Sequence, residues 1–296
     1  MKRRSFVLNT SLLSLASLVQ IRCKNSEMAE RKDIGLQLYT VRSQMEEDPV
    51  GTLEAISLIG YSHIESIGYN QGKYYGMAPK VFHNLLNDLG LNMFSGHTQT
   101  GSDQPQKTHT MTNQWERVCE DAAHVGQKYI VLGYLVQQER KTLDDYKKIA
   151  ELCNKCGETA REFGLTFAYH NHDFEFNKLE GKRPYDILLS EVDPELMDFE
   201  IDLFWTRKAG IDTFDYFNKY PRRFPLWHIK DMDSSSEQNF TEVGNGIIDW
   251  SEYFKKAKSA NLQYFYVEQD QCINYPPLES VKISFDYLNK LTLNNE

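Results

Sequence analysis

The run FAYHNHDFEFN, Phe167 to Asn177, begins like a buried strand and ends like a site. Leu165 and Phe167 lead in as apolar strand residues. His170, His172, Asp173 and Glu175 then crowd the point where such a strand should stop. A core strand does not tolerate that much charge, and a surface loop does not need Phe167, Tyr169, Phe174 and Phe176. A strand whose tip carries the chemistry is the economical reading, and it asks whether neighbouring strands do the same.

They do. Apolar runs with strand character fall at Ile34–Tyr39, Tyr61–Ile67, Leu91–Gly96, Tyr129–Leu132, Leu165–Tyr169, Met197–Ile201, Pro225–Ile229 and Tyr264–Val267. Helical periodicity follows each of them, at Thr52–Leu58, after Pro79, at Trp115–Val125, Leu143–Phe163, Tyr185–Leu189, Thr213–Asn218, Trp250–Ser259 and Leu278–Leu291. Eight strand–helix units in 296 residues predict an α/β chain folded as a (β/α)8 barrel, a TIM barrel. The first strand is followed by GLQLYTVRSQ (35–44) rather than a glycine-rich phosphate turn, which argues against a doubly wound sheet. With no linker or repeat after residue 32, residues 32–296 read as one barrel domain.

Residues 1–31 read as an export segment and linker. MKRRSFVLNTSLLSLASLVQIRC (1–23) has a basic start and a short apolar stretch diluted by polar residues, too short and polar for a membrane span. Arg3-Arg4-Ser5-Phe6-Val7-Leu8 resembles a twin-arginine signal, which exports folded proteins. The expectation is an exported, periplasmic protein, with lipid anchoring at Cys23 as its one route to a membrane. The net charge of −9 speaks against a nucleic-acid partner. Cys153 and Cys156 have redox spacing, but they repeat with Ile149, Leu152, Ala160 and Phe163 along one apolar helix face, so they read as core.

In a barrel of this kind the C-terminal strand ends build the site. Those ends supply Gln37, Tyr39 and Arg42 from the first strand, Glu65 from the second, and His97 from the third. The fifth gives the opening cluster, the sixth Glu200 and Asp202, the seventh His228, Lys230 and Asp231, and the eighth Glu268 and Asp270. Side chains alternate along a strand, so His170, Asp202, His228 and Glu268 can each point inward from successive strands. Two imidazoles and two carboxylates suit one divalent metal ion: Mn, Co, Zn or Mg. Glu175 lies an odd number of residues from His170 and reaches that point only if the chain turns after His172. Each of these residues also has an ordinary reading, as a helix cap, a surface charge or a packed core histidine.

The stretches IGLQLYTVR, GYSHIES, YHNHDFEF, EIDLFWTRKAG, HIKDMD, EVGNGIIDW and YVEQD, taken together and in order, resemble the xylose-isomerase-like barrel superfamily. That superfamily includes the sugar phosphate isomerase/epimerase and inosose dehydratase groups. The resemblance implies a metal held at strands five to eight by Glu, Asp, His and Glu. Asp202, His228 and Glu268 match the last three; the fifth strand has His170 instead, with Glu175 as a later candidate. It also implies that a keto-sugar is deprotonated to an enediolate. His172 then acts as base, and Glu268 or Glu175 as second acid/base. Lys230, Arg42, Glu65 and His97 join the substrate site, and Tyr39, Trp205 and Phe174 wall it. The expected function is a sugar isomerase/epimerase or lyase, with 3-keto-glycosides among the substrates considered. A non-catalytic carbohydrate- or partner-binding barrel and a metal-dependent endonuclease are the competing classes. Barrels of this type often pair, so a homodimer is the expected assembly.

Overall fold

The computed structural model describes residues 33–293. The expected export segment and Cys23 lie outside the described residues. Eight parallel strands close into a barrel: β1 (Gly35–Gln37), β2 (His63–Ser66), β3 (Asn92–Thr98), β4 (Tyr129–Leu132), β5 (Thr166–His170), β6 (Met197–Asp202), β7 (Leu226–Ile229) and β8 (Tyr264–Val267). Each pairs with its sequence neighbour, and β1 pairs with β8 through Gly35↔Tyr266. At β6 and β7 the register sets Asp202 beside His228, and β7 with β8 sets His228 beside Tyr266. These pairings place the polar strand ends at comparable height.

Two apolar layers hold this frame. Outside the wall, strand residues such as Phe167, Tyr169, Phe199, Ile201 and Trp227 pack under the helices. Inside it, Val131, Ala168, Leu226 and Tyr266 form a separate small core. The alternation is that of a half-turned strand: on β5, Phe167 and Tyr169 face the helices while Ala168 faces the barrel interior. His170 continues the Ala168 parity and so arrives at the mouth. Beneath the inner core, Gly35 lets two strands and a histidine meet, because a Cβ there would lie 2.4 Å from His63 Nε2 and 2.7 Å from Phe265 O.

Most expected elements are present, with instructive differences. The first strand ends at Gln37, whose side chain accepts from Tyr39 N at 3.1 Å and turns the chain into a 3-10 segment, Leu38–Val41. The segment expected as one helix at Trp250–Ser259 is two, Trp250–Phe254 and Ala257–Ala260. A further helix, Leu203–Lys208, starts directly on β6 with Asp202 as its cap. Cys153 and Cys156 are unpaired and buried in helix Leu143–Glu162, as the packing reading expects. No helix among the described residues is long and apolar enough to cross a membrane.

One loop is fixed by a buried acid. Asp231 Oδ1 accepts from Met232 N and Ile248 N, and its Oδ2 accepts from Gly244 N and Trp250 Nε1. This one carboxylate anchors the EVGNGIIDW loop over the β7 end. A Cβ at residue 246 would lie 2.1 Å from Asp231 Oδ1, so the position requires glycine.

Candidate functional site

The donors expected at the mouth converge. His170 Nε2, Asp202 Oδ2, His228 Nδ1 and Glu268 Oε2 are buried, and one ligand atom from each lies within 4.8 Å of the others. His170 sits 3.3 Å from Asp202, and His228 sits 2.7 Å from Glu268. The orientation of each is set by a second contact. His170 Nδ1 lies 3.1 Å from the Gly133 carbonyl, which accepts a hydrogen but cannot give one. Nδ1 therefore carries the proton, and Nε2 points a lone pair at the Asp202 carboxylate. Asp202 is at once cap and donor: Oδ1 accepts from Trp205 N at 2.9 Å, which leaves Oδ2 for the site. Asn171 holds the backbone there, accepting from Asp202 N at 3.0 Å.

Lys230, two residues after His228, shares this space. Its ammonium lies 3.0 Å from Asp202, 2.7 Å from Glu268 and 2.7 Å from Asp270. Burial works against every charge here, but the opposite charges win. Lys230 above all overcomes the burial of Asp202 and holds it down at about 2. Glu268 is likewise held well below the carboxylate range by Lys230 and His228. Burial also opposes the Lys230 charge, but Asp202, Asp270 and Glu268 together raise its pKa. His170 goes the other way: burial and then His228 lower it, so it stays neutral.

Below this set, toward the barrel interior, lies a second one: Glu65, His97, Glu200 and His228. His228 Nε2 is 2.6 Å from Glu65 and 3.2 Å from Glu200, and His97 Nε2 is 3.1 Å and 2.8 Å from the same two acids. Glu65 also accepts from Gln37 Nε2 at 2.6 Å and Ser95 Oγ at 2.5 Å. A register shift between Ile64 and Glu65 at the β2–β3 pairing aims this side chain inward. This corrects the expected substrate contact for Glu65. Glu65 is fully buried and both its oxygens are engaged within the protein, so it lies beneath the mouth, with the partly exposed His97 beside it. Glu200 joins the site although it was not among the expected donors; its even spacing from Asp202 is the signal in the sequence.

Around the mouth stand the aromatic residues. His172 stacks on Phe174 (centroids 5.3 Å, 7°), is met edge-on by Tyr134 at 5.0 Å, and lies 5.8 Å from Trp205. Arg140 covers the Phe174 ring at 3.6 Å. His172 Nδ1 and Trp205 Nε1 are both buried without a hydrogen-bond partner among the described residues. Burial, then His170 and Lys230, lower the His172 pKa, keeping it a neutral imidazole. Tyr39 is half exposed under Arg42, whose Nη2 donates to the Asp270 carbonyl at 3.1 Å. Arg140 and Tyr134 carried no signal in the sequence, because they come from the β4 loop, which offered little that is ionisable at its strand end.

Glu175 is not among these donors. The chain does turn after His172, into the 3-10 segment Phe174–Phe176, but the turn carries Glu175 to the outer face of β5. There Oε1 accepts from Tyr169 OH at 2.7 Å and Oε2 from His172 N at 2.9 Å. Tyr169 belongs to the layer under the helices, so Glu175 supports the strand tip from behind and is absent from both donor sets. As a fifth-strand ligand or second acid/base it is displaced by this geometry, and His170 occupies the place. Two open clefts of about 420 and 550 Å³ lie elsewhere, around Gly210, Ile211 and Asp212, and share no residue with either donor set.

With this geometry in view, comparison with known proteins gives a consistent picture. A family model described as a xylose isomerase-like TIM barrel matches residues 53–291. The chain is 26% identical over 145 residues to an inosose dehydratase of Clostridium perfringens, covering 43% of this chain and 48% of that protein. It is 25% identical over 170 residues to an inosose dehydratase of Lactiplantibacillus plantarum, covering 51% and 56%. The alignment thus spans about half the length of these curated relatives. A solved sugar phosphate isomerase/epimerase from Parabacteroides distasonis superposes with a TM-score of 0.76 at 25% identity, over 89% of this chain and 95% of that one. The IolI protein, crystallised with a zinc atom, shares the fold (TM-score 0.66, 15% identity, 88% and 97% coverage). The chain belongs to the xylose isomerase-like TIM barrel family.

Proposed function

We propose that this protein is a divalent-metal-dependent sugar isomerase/epimerase or lyase that deprotonates a keto-sugar to an enediolate. One observation carries the metal: the Nε2 lone pair of a neutral His170 faces an Asp202 carboxylate oxygen at 3.3 Å. Lys230 already brings one cation to that oxygen, at 3.0 Å, and four buried donors converge there on a place that a metal ion can take. The spacing also equals the edge of a tetrahedron with bonds of about 2.0 Å, typical of imidazole and carboxylate ligands. The mixed nitrogen and oxygen donors suit Mn, Co or Zn, with Mg less well served by imidazole. Bound there, such an ion would supply positive charge to polarise a carbonyl and steady a developing oxyanion.

The remaining steps belong to side chains. His172 is the base: it is neutral, its Nδ1 is free of partners, and its ring is fixed between Phe174 and Tyr134. An imidazole of this kind accepts a carbon-bound proton near neutral pH. Trp205 Nε1, unpartnered nearby, donates to a substrate oxygen, and Lys230 can turn from Glu268 toward a substrate oxygen while keeping Asp270. Tyr39 and Phe174 flank the sugar face. Return of the proton to the enediolate gives isomerisation or epimerisation; loss of a β-substituent gives dehydration or cleavage of a keto-glycoside. The inosose dehydratase and isomerase/epimerase relatives support a keto-sugar substrate. We read the N-terminal segment as an export signal, and a periplasmic setting favours unphosphorylated substrates such as 3-keto-glycosides. The test is incubation of metal-loaded protein with free ketoses, inososes and 3-keto-glycosides in deuterated water. Deuterium at an α-carbon or an eliminated product supports the reading; neither, with every substrate, defeats it and favours a non-catalytic barrel.

A further inference from the structure

The inner set of Glu65, His97, Glu200 and His228 has the donor atoms of a second metal site, so its role has to be decided by counting lone pairs and protons. An ionised carboxylate offers about four acceptor positions. Glu65 Oε2 accepts from Gln37 Nε2 and His228 Nε2, and Oε1 accepts from Ser95 Oγ, while the His97 Nε2 proton goes to Glu200 Oε2. Three of its four positions are taken, and the two imidazole Nε2 atoms of this set face the acids as N–H donors, with no lone pair to give an ion. The contacts at 2.6 and 2.8 Å have the length of charge-assisted hydrogen bonds, and two imidazole N–H groups suffice to make them.

We propose that Glu65, with Glu200 and His97, is the seat that fixes the ligand histidine, and that the chain holds a single ion, above it. This inference rests on the metal reading of the outer set. Glu65 takes the proton on His228 Nε2, which leaves the other nitrogen, Nδ1, turned toward Asp202 and Glu268 as the atom an ion would take in place of a proton. Gln37 and Ser95 stop Glu65 from rotating away. His97, stacked parallel to His228 at 5.5 Å (8°), bridges Glu65 to Glu200 and offsets their charge. The three are positioning residues. Glu65 and Glu200 are fully buried and meet the outer set at His228.

The test is Glu65→Gln. An amide cannot accept from Gln37, Ser95 and His228 as a carboxylate does, and turning its NH2 toward His228 would favour the tautomer protonated on Nδ1, blocking the ligand atom. Zn²⁺ and Co²⁺ binding to purified full-length protein is measured by titration calorimetry. The Co²⁺ visible spectrum reports ligand geometry, and circular dichroism reports the fold. The expected result is one ion per wild-type chain, still one in folded Glu65→Gln, bound about 10–100-fold more weakly with an altered Co²⁺ spectrum. Should Glu65→Gln not fold, Ser95→Ala removes one restraint on Glu65 and should weaken binding about two- to tenfold. Unchanged affinity and spectrum in the folded variant would overturn the seat. So would two ions in wild type with one lost in Glu65→Gln. A wild-type chain that binds no ion defeats the metal reading itself, a separate outcome.

Discussion

Replacing Lys230 with methionine should make the protein less stable without metal and better at binding it, while damaging catalysis. Among the described residues Lys230 is the one ammonium paired with Asp202, Glu268 and Asp270, at 3.0, 2.7 and 2.7 Å. Removing one member of a buried ion pair costs about 3–5 kcal/mol, because its partner charge is left unpaired. For a domain of this size each kcal/mol moves the melting temperature by about 2 °C, so chelator-treated Lys230→Met should melt about 6–10 °C below wild type. The ion and the lysine share two carboxylates, so they repel each other. Like charges about 4 Å apart interact by about 4 kcal/mol per unit charge at an effective dielectric of 20, although Lys230 relieves part of this by leaning on Asp270. Affinity for Mn²⁺ should therefore rise at least about tenfold. At about a thousand times its dissociation constant, an ion returns about 4 kcal/mol, enough to close most of the gap. Activity should fall about ten- to a hundredfold, the cost of one charged hydrogen bond to substrate. The assays are thermal melts in chelator and in Mn²⁺, Mn²⁺ titration calorimetry, and turnover. A chelated variant melting within a degree of wild type, or weaker Mn²⁺ binding, would refute the shared-carboxylate argument.

Other outcomes follow from the same geometry. His172→Gln should lower the rate of α-proton exchange by about 10²–10⁴ while leaving metal content unchanged; exchange at the wild-type rate would remove His172 as base. Burial pushes the Glu175 carboxyl up to about 8, so between about pH 4.5 and pH 8 the folded chain keeps a proton that the unfolded chain has released. Stability should then fall by about 1.4 kcal/mol per pH unit across that window, about 5 kcal/mol in all, and level off above it. Glu175→Gln should abolish that slope, and denaturant melts that stay parallel from pH 5 to 8 would contradict the assignment. Cys119, Cys153 and Cys156, buried and with thiols pushed up by burial, should resist a thiol reagent until the protein unfolds.

The barrel was legible because each strand is a short apolar run that closes on a polar tip and is followed by a helical period. The inward parity of His170, Asp202, His228 and Glu268 was legible for the same reason, since side chains alternate along strands whose register nearly matches. Height was not legible. Glu65 and Glu268 look alike as strand-end acids, yet one lies beneath the mouth and the other at it. That difference depends on strand tilt and on the bulge at Ile64/Glu65, which no single segment encodes. Glu175 was misplaced because a 3-10 turn, rather than continued strand, decides its side, and its tether is a residue of opposite parity, Tyr169. Asp231 reads in the sequence as one more polar strand end, whereas its four donors come from residues up to 19 positions away.

The central claim is that one divalent cation sits among His170, Asp202, His228 and Glu268. Crystals grown with Mn²⁺ or Zn²⁺, measured at wavelengths on either side of the metal's absorption edge, test it without reference to substrate. The account predicts one anomalous peak about 2.0–2.3 Å from His170 Nε2, Asp202 Oδ2, His228 Nδ1 and Glu268 Oε2. A peak among Glu65, His97 and Glu200 instead, or none in the barrel, would contradict it.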